Sequence, residues 1–379
     1  MKAALQYFVA LLLAHSTFTA QAVQVPFFNT GDLFVLESNS GILRITPDAD
    51  ISVFLSIQDI EAVIGFDNSG LSDNGIAFDD LGNFYFADDN HVLKYTQASH
   101  SLSLLASELS IATAQGDPSM RTDVDAIAID ANGDLFVTDD RTEAVLKINA
   151  NTGAVSVHAS QADFLAQTGL DVNLEQGIVA GLAGDIYVAS QAGGSSSIDD
   201  GDAIFVIDAN GNISTLMNND RIADPDQFMT TDLNGDLIVA SDEGDNEQIF
   251  KVSIVDGHVN DFISTVTLEG LLNDLTPDVD VRGGLAYDYL GNLFIGDSDE
   301  DLILKFDAAL NGSIFVTAAD ILAVTGASRV NLGAGFAFAP TLGGPDFGPV
   351  PEPAVVWLVC VGGLMLLTKS KPRKQFAGS

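Results

Sequence analysis

The stretch Gly75-Ile-Ala-Phe-Asp-Asp-Leu-Gly-Asn-Phe-Tyr-Phe-Ala-Asp-Asp89 decides the fold, because it returns along the chain. Its next copy is Asp125-Ala-Ile-Ala-Ile-Asp-Ala-Asn-Gly-Asp-Leu-Phe-Val-Thr-Asp-Asp140, and later copies run from Gln176 to Ser190, Asp226 to Glu243 and Gly283 to Glu300. The turn glycines Gly31, Gly82, Gly133, Gly184, Gly235 and Gly291 stand 51 residues apart four times and then 56. A period near 50 made of short alternating strands is the spacing of propeller blades. In the second copy, strands are predicted over about 125–130, 134–138, 144–149 and 154–158, with Asn132-Gly133 as a tight hairpin turn between the first two. Leu135, Val137, Val145 and Ile148 then supply the apolar faces that stack between blades.

The two ends of the pattern complement each other. The chain enters at a second strand, Thr30-Gly-Asp-Leu-Phe-Val-Leu36, and leaves on a first strand, Gly333-Ala-Gly-Phe-Ala-Phe-Ala-Pro340. Joined, they complete one blade, so residues 23–340 read as an all-β, six-bladed propeller closed by a shared N- and C-terminal sheet with no long free edge. Between blades, Gln58 to Val63, Gln161 to Gly169 and Ala319 to Gly326 space apolar residues three and four apart, as single helical turns do. The phrases Gly75-Ile-Ala-Phe-Asp and Gly284-Leu-Ala-Tyr-Asp, each followed two residues later by Gly-Asn and a strand, resemble NHL and gluconolactonase-like six-bladed propellers.

Propeller ligands usually sit where the first strands begin. Eight residues before the turn glycines stand Asn74, Asp125, Gln176, Gln227 and Gly283, and nine before stand Asp73, Val124, Glu175, Asp226 and Arg282. Of these, Asp73, Asn74, Asp125, Glu175, Gln176 and Asp226 offer oxygen ligands for calcium or another hard cation. The resemblance to gluconolactonase-like enzymes implies a comparable metal site, although their glutamate and asparagines have no residue-by-residue match here. A hydrated polar channel lining explains the same ring without a metal and is the preferred reading.

The loops after the second strands are acidic: Asp88-Asp89, Asp139-Asp140, Asp199-Asp-Gly-Asp202, Asp242-Glu-Gly-Asp245 and Asp297-Ser-Asp-Glu-Asp301. None has the calcium-loop spacing that closes on a glutamate, so they read as a solvated acidic face. His91, His100, His158 and His258 fall in different blades without metal-binding spacing and read as strand or surface residues.

The ends of the chain carry addresses. Lys2, the apolar run Tyr7 to Ala14 and Ala20-Gln-Ala22 have the order of a secretory signal peptide over residues 1–22. After a Gly/Pro-rich linker, residues 341–349, come Val350-Pro351-Glu352-Pro353, an apolar run from Ala354 to Leu367, and Lys369, Lys371, Arg373 and Lys374. Basic residues beyond an apolar run hold that end in the cytoplasm, and the run is short for a permanent span. This order over residues 350–379 resembles the PEP-CTERM sorting signal of bacterial surface proteins. It departs from the usual arginine-rich close in Lys371-Pro-Arg-Lys374 and the extension to Ser379. The resemblance implies processing by an exosortase-type enzyme after transient anchoring in the inner membrane.

Whole-chain charge is −38, from 15 basic and 53 acidic residues. Setting aside Lys2, the four tail cations and Glu352 leaves about −42 for the exported part, which argues against nucleic acid or anionic membrane as partners. The only cysteine, Cys360, lies in the apolar tail, so residues 23–349 contain no disulfide or thiolate site. The function classes that remain are a non-enzymatic binding or structural protein of the cell surface or exopolysaccharide matrix, meeting a glycan or protein, and a metal-dependent hydrolase or lactonase. With no nucleophile and base pair visible, the first is preferred.

Overall fold

Four of the six blades start from a hairpin set by one aspartate and one glycine; blade 4 carries Gly181 in place of the aspartate, and blade 1 joins strands from the two ends of the chain. In the second repeat, the Asp130 carboxylate accepts the N–H groups of Asn132 and Asp134, both at 2.9 Å. Gly133 sits at φ +80° and donates its N–H to the Asp130 carbonyl at 2.9 Å. Asn132 keeps a negative φ, so the turn is an aspartate-capped turn followed by a glycine bulge rather than the two-residue Asn-Gly hairpin expected. Asp79, Asp232 and Asp288 collect the corresponding N–H groups in their own turns.

The computed structural model describes residues 28–65, 71, 74–191, 202–218, 222, 225, 228–241, 247–272, 279–332 and 335–340. The signal peptide, the linker and the sorting segment with Val350, Pro351, Glu352 and Pro353 lie outside these residues. Among the described residues no helix is long and apolar enough to cross a membrane.

Six four-stranded antiparallel sheets form the blades. Blade 1 contains β1 (Leu33–Glu37), β2 (Gly41–Ile45) and β3 (Ile51–Ser56); blade 2 contains β4 (Ile76–Phe78), β5 (Phe84–Asp88), β6 (His91–Thr96) and β7 (Ser101–Ala106). Blade 3 contains β8 (Val124–Ile129), β9 (Asp134–Asp139), β10 (Ala144–Asn149) and β11 (Val155–Ala159), and blade 4 contains β12 (Ile178–Ala180), β13 (Ile186–Ser190), β14 (Ala203–Ile207) and β15 (Ile213–Asn218). Blade 5 is β16 (Met229–Thr231), β17 (Leu237–Ser241), β18 (Gln248–Val252) and β19 (Val259–Ile263); blade 6 is β20 (Leu285–Tyr287), β21 (Leu293–Asp297), β22 (Leu302–Phe306) and β23 (Gly312–Val316). The last strand, β24 (Phe336–Phe338), returns to blade 1 and pairs with β1, Leu33 opposite Phe338 and Val35 opposite Phe336. The first strands touch in the cyclic order β24, β4, β8, β12, β16, β20 and back to β24, so the ring is closed as the sequence implies.

Helices follow the outermost strands: α1 (Ile57–Ile64), α2 (Glu108–Ala114), α3 (Gln161–Thr168), α4 (Thr265–Leu272) and α5 (Ala318–Thr325). Ser56 with Asp59, Ser160 with Asp163 and Thr317 with Asp320 form capping boxes, and Gly65, Gly169 and Gly326 end their helices in the left-handed conformation. Each of these helices, α2 included, buries one or two side chains, such as Phe164 and Ile321, under the adjoining blades.

Inter-blade packing is mostly aliphatic, as where Val145, Ile178, Val188 and Ile207 join blades 3 and 4. Between blades 1 and 2 it is aromatic. Phe34 meets Phe28, Phe54 and Phe78 edge-on with ring centroids 5.2, 4.9 and 5.1 Å apart, and Tyr95 closes on Phe54 at 5.1 Å. Such contacts add about 0.5–1.5 kcal/mol each beyond burial. They reinforce the blade whose strands come from both ends of the chain.

Candidate functional site

The mouth of the ring lies where the first strands begin. Asn74 is fully buried there and donates its amide N–H to the Val124 carbonyl at 2.9 Å, leaving its Oδ1 without a partner. Asp125 also buries an unpartnered Oδ2. Burial pushes its carboxyl up to about 10, helped by the charges of Asp140, Asp123, Glu175 and Asp89. Burial and Asp123 raise Asp140 to about 6. Of the calcium ligands expected from sequence, Asn74, Asp125, Glu175 and Gln176 are described, and Asp73 and Asp226 lie outside the described residues. Among the described residues no group of three or more His, Cys, Asp or Glu is placed to hold a metal ion.

Below the mouth the channel is narrow. A cavity of about 40 Å³ is walled by all six first strands or the residues leading into them, with Ile76, Ile127, Ile178, Met229, Leu285 and Phe336 prominent and Gln176 the one polar side chain among the described residues. Asp73, Asp226 and Gln227 of the mouth ring lie outside the described residues. Side chains alternate along each short strand, and the ring that begins with Asn74 and Asp125 gives way at once to β-branched and aromatic residues.

The acidic loops follow expectation only in part: Asp299 and Glu300 are exposed, while Asp199, Asp200, Asp242, Glu243 and Asp245 lie outside the described residues. The last residue of each second strand, Glu37, Asp88, Asp139, Ser190, Ser241 and Asp297, is buried rather than solvated. Asp139 accepts the N–H groups of Asp123 and Arg141 and the Gln115 amide. Asp297 accepts those of Asp280, Asp299 and Glu300, and burial raises its carboxyl to about 7. Four residues on, Glu143 accepts the Leu174 N–H of the next blade at 2.6 Å, and Asp301 accepts the Leu332 N–H at 3.1 Å. Both acids sit at positive φ, +50° and +51°. These carboxylates join strand ends to the loop entering the next blade.

Histidines follow the expected pattern. His158 in β11 stacks edge-on against Phe136 at 4.9 Å, and His100 pairs through Nδ1 with the Tyr95 hydroxyl at 2.9 Å. His91, buried at the start of β6, is a strand residue as expected. Burial lowers the pKa of both His91 and His158.

A larger space lies at the other end of the first strands, on the face formed by the Asp-x-x-Gly turns. This cleft, of about 480 Å³, runs across blades 2, 3 and 4. Asp79, Asp80, Asp130, Asn132 and Asn151 line it with Phe78, Leu81, Ala131 and Leu182. The sequence reading passed over these residues, because it sought ligands only at the channel mouth. The signal that could have found them is the residue two before each turn glycine, which is large and apolar in Leu182, Leu233 and Tyr289 but not in Asp80 or Ala131.

No family model matches the chain, and no curated protein matches it. Among solved structures, a chain of a nidogen/laminin complex is 14% identical over 82% of this chain and 98% of that one, with a TM-score of 0.56. TolB from Acinetobacter baumannii is 12% identical over 83% of this chain and 68% of its own, with a TM-score of 0.53. A gluconolactonase from Xanthomonas campestris is 13% identical over 77% and 88%, with a TM-score of 0.47, too low to carry an argument. At these identities the first two likenesses establish the propeller fold and no activity.

Proposed function

We propose that this chain is an exported bacterial propeller, sorted by an exosortase-type enzyme, that acts at the cell surface or in the exopolysaccharide matrix as a non-enzymatic binding protein. The observation that carries the binding reading is the cleft of about 480 Å³ across blades 2 to 4, a volume within the roughly 300–1,000 Å³ range of small-ligand sites and lined by both polar and apolar side chains. The signal peptide, the Val350-Pro351-Glu352-Pro353 motif and the basic tail support export and processing. The experiment is to express the full chain in a host with an exosortase system. The secreted material should end near Pro353 by mass spectrometry and be retained on purified exopolysaccharide. Retention of Trp357 in the mature protein contradicts the sorting, and failure to bind matrix contradicts the binding.

A second reading, a metal-dependent hydrolase or lactonase, is favoured by one observation: Asn74 Oδ1 and Asp125 Oδ2 are buried without partners at the channel mouth. Oxygens of this kind suit a hard cation such as calcium. Calcium-dependent stabilisation in calorimetry together with turnover of lactone substrates supports this reading, and flat titrations remove it.

A further inference from the structure

The cleft arises from a lapse in the repeat. In blades 4, 5 and 6 the residue two before the turn glycine leans on the turn glycine that follows in the ring. A β-carbon at Gly235 would stand 3.1 Å from Leu182 Cδ1, one at Gly291 3.3 Å from Leu233 Cδ1, and one at Gly31 3.0 Å from Tyr289 Cε1. In blades 2 and 3 that position holds Asp80 and Ala131, and nothing lies within 4 Å of a β-carbon at Gly133 or Gly184. The clasp is missing at these two successive seams, and the cleft opens across them; blade 1 carries Asn29 at the same position.

The lining chemistry narrows the ligand. Asp79 already accepts four hydrogen bonds, from the N–H groups of Leu81 and Asn83, the Asn83 amide and the Tyr85 hydroxyl. Asp130 accepts three, from the Asn132 and Asp134 N–H groups and the Asn132 amide. Asp79 is thereby saturated and Asp130 nearly so, so neither carboxylate is open to an ion. Asp80, exposed at the edge, and the amides of Asn132 and Asn151 add acceptors and donors, while Leu81, Ala131 and Leu182 present apolar surface beside them. Among the described residues no lysine or arginine lines the cleft, which disfavours an anionic ligand. Lys94, stacked over the Tyr85 ring, is committed to the Ala150 carbonyl at 2.9 Å.

Building on the binding reading above, we infer that this cleft holds a neutral, hydroxyl-rich sugar unit of a surface or matrix glycan, its hydroxyls hydrogen-bonding to Asp80 and to the amides of Asn132 and Asn151 and its C–H face lying on the leucines. The test is saturation-transfer NMR and calorimetry on the exported chain with the methyl glycosides of glucose, galactose and mannose. Methyl glucuronide and methyl glucosaminide serve as the anionic and cationic counterparts. At least one neutral glycoside should bind saturably, and its charged counterparts about tenfold more weakly. Ala131→Leu, which restores a clasp side chain at an exposed position, should weaken that binding at least about tenfold while leaving the melting temperature unchanged. Asp80→Asn should weaken it less, because shape is kept. Preference for either charged glycoside, absence of binding to all three neutral ones, or wild-type affinity in Ala131→Leu overturns the inference. If the chain is still retained on exopolysaccharide in such a case, only the cleft assignment falls. If it is not, the binding reading falls as well.

Discussion

On the mouth face, neighbouring blades are joined by carboxylates: Glu143 holds the Leu174 N–H and Asp301 that of Leu332. On the turn face they are joined by side chains without charge, Leu182 and Leu233 against glycines and the Tyr289 ring against Gly31. The acids at the strand ends are buried, whereas Leu182 and Leu233 are 69% and 59% exposed, the reverse of where such residues are usually found. The contrast separates two reasons for a residue's polarity. At the mouth, backbone N–H groups of irregular loops need acceptors in a buried place, supplied by an acid in most blades and by the Ser190 hydroxyl, which accepts the Asn173 N–H, in blade 4. At the turns, the aspartates have already satisfied the backbone, so the tips are free to touch through apolar contact. A gap in the first system would leave buried donors unpaired. In the second it leaves a cleft.

The largest effect should come from breaking a buried carboxylate. Asp297→Ala leaves three loop N–H groups without their acceptor and should lower stability by about 2–3 kcal/mol in calorimetry. Asp297→Asn keeps an acceptor oxygen and should lose far less. A loss under about 0.5 kcal/mol in Asp297→Ala would mean that the mouth acids are solvated after all.

Next in size is a pH effect from the same face. Burial raises the folded pKa of Asp125, Asp140, Glu143 and Asp297 to about 10, 6, 7 and 7, above unfolded carboxyl values near 4. The folded chain then binds more protons than the unfolded chain, so stability falls as pH rises from about 4 through those values. Asp163, Asp208, Asp307 and Asp320, lowered by side-chain hydrogen bonds to Ser160, Asn212, Asn311 and Thr317, act oppositely and lose their contribution as pH falls below about 4. The melting temperature should peak near about pH 5 and drop by a few degrees toward pH 8, and Asp125→Asn should flatten that drop. A melting temperature that rises from pH 5 to 8 contradicts the burial of these groups.

Smaller effects belong to the turn face. Gly133→Ala and Gly235→Ala both place a β-carbon at positive φ, which costs about 1–2 kcal/mol. Gly235→Ala should be the worse of the two, since Leu182 must also give way; equal losses would deny the clasp. Leu182→Ala should cost under about 1 kcal/mol in denaturant melts, because the side chain is mostly exposed already.

The period was readable because a glycine recurs at every first turn, with an aspartate three residues before it in four of the six, and the four strands of the second repeat lie within a residue or so of where the pattern placed them. The glycine-ended helices α1, α3 and α5 were readable for the same kind of reason. The pattern missed α2, whose C-cap is Gln115, and α4, which carries β-branched Thr265, Val266 and Thr267 in its first turn and Gly270 inside. The buried acids could not be told from solvated ones, because an Asp-Asp pair looks the same whether or not a loop some 16 residues before it supplies N–H groups, as Asp123 does for Asp139. The cleft depends on what two side chains fail to reach, which no linear spacing records.

The pairing of β24 with β1 sets an order of events. Residues 33 and 338 stand at opposite ends of the propeller sequence, and β24 is the last of its strands to be synthesised. Until Phe336 to Phe338 arrive, the inner edge of β1 and the flanks of β4 and β20 lack their neighbour, so the ring has no closed state to fall into. Made in order, the chain supplies blades 2 to 6 from consecutive strands, and blade 1 alone waits for the final blade-forming residues.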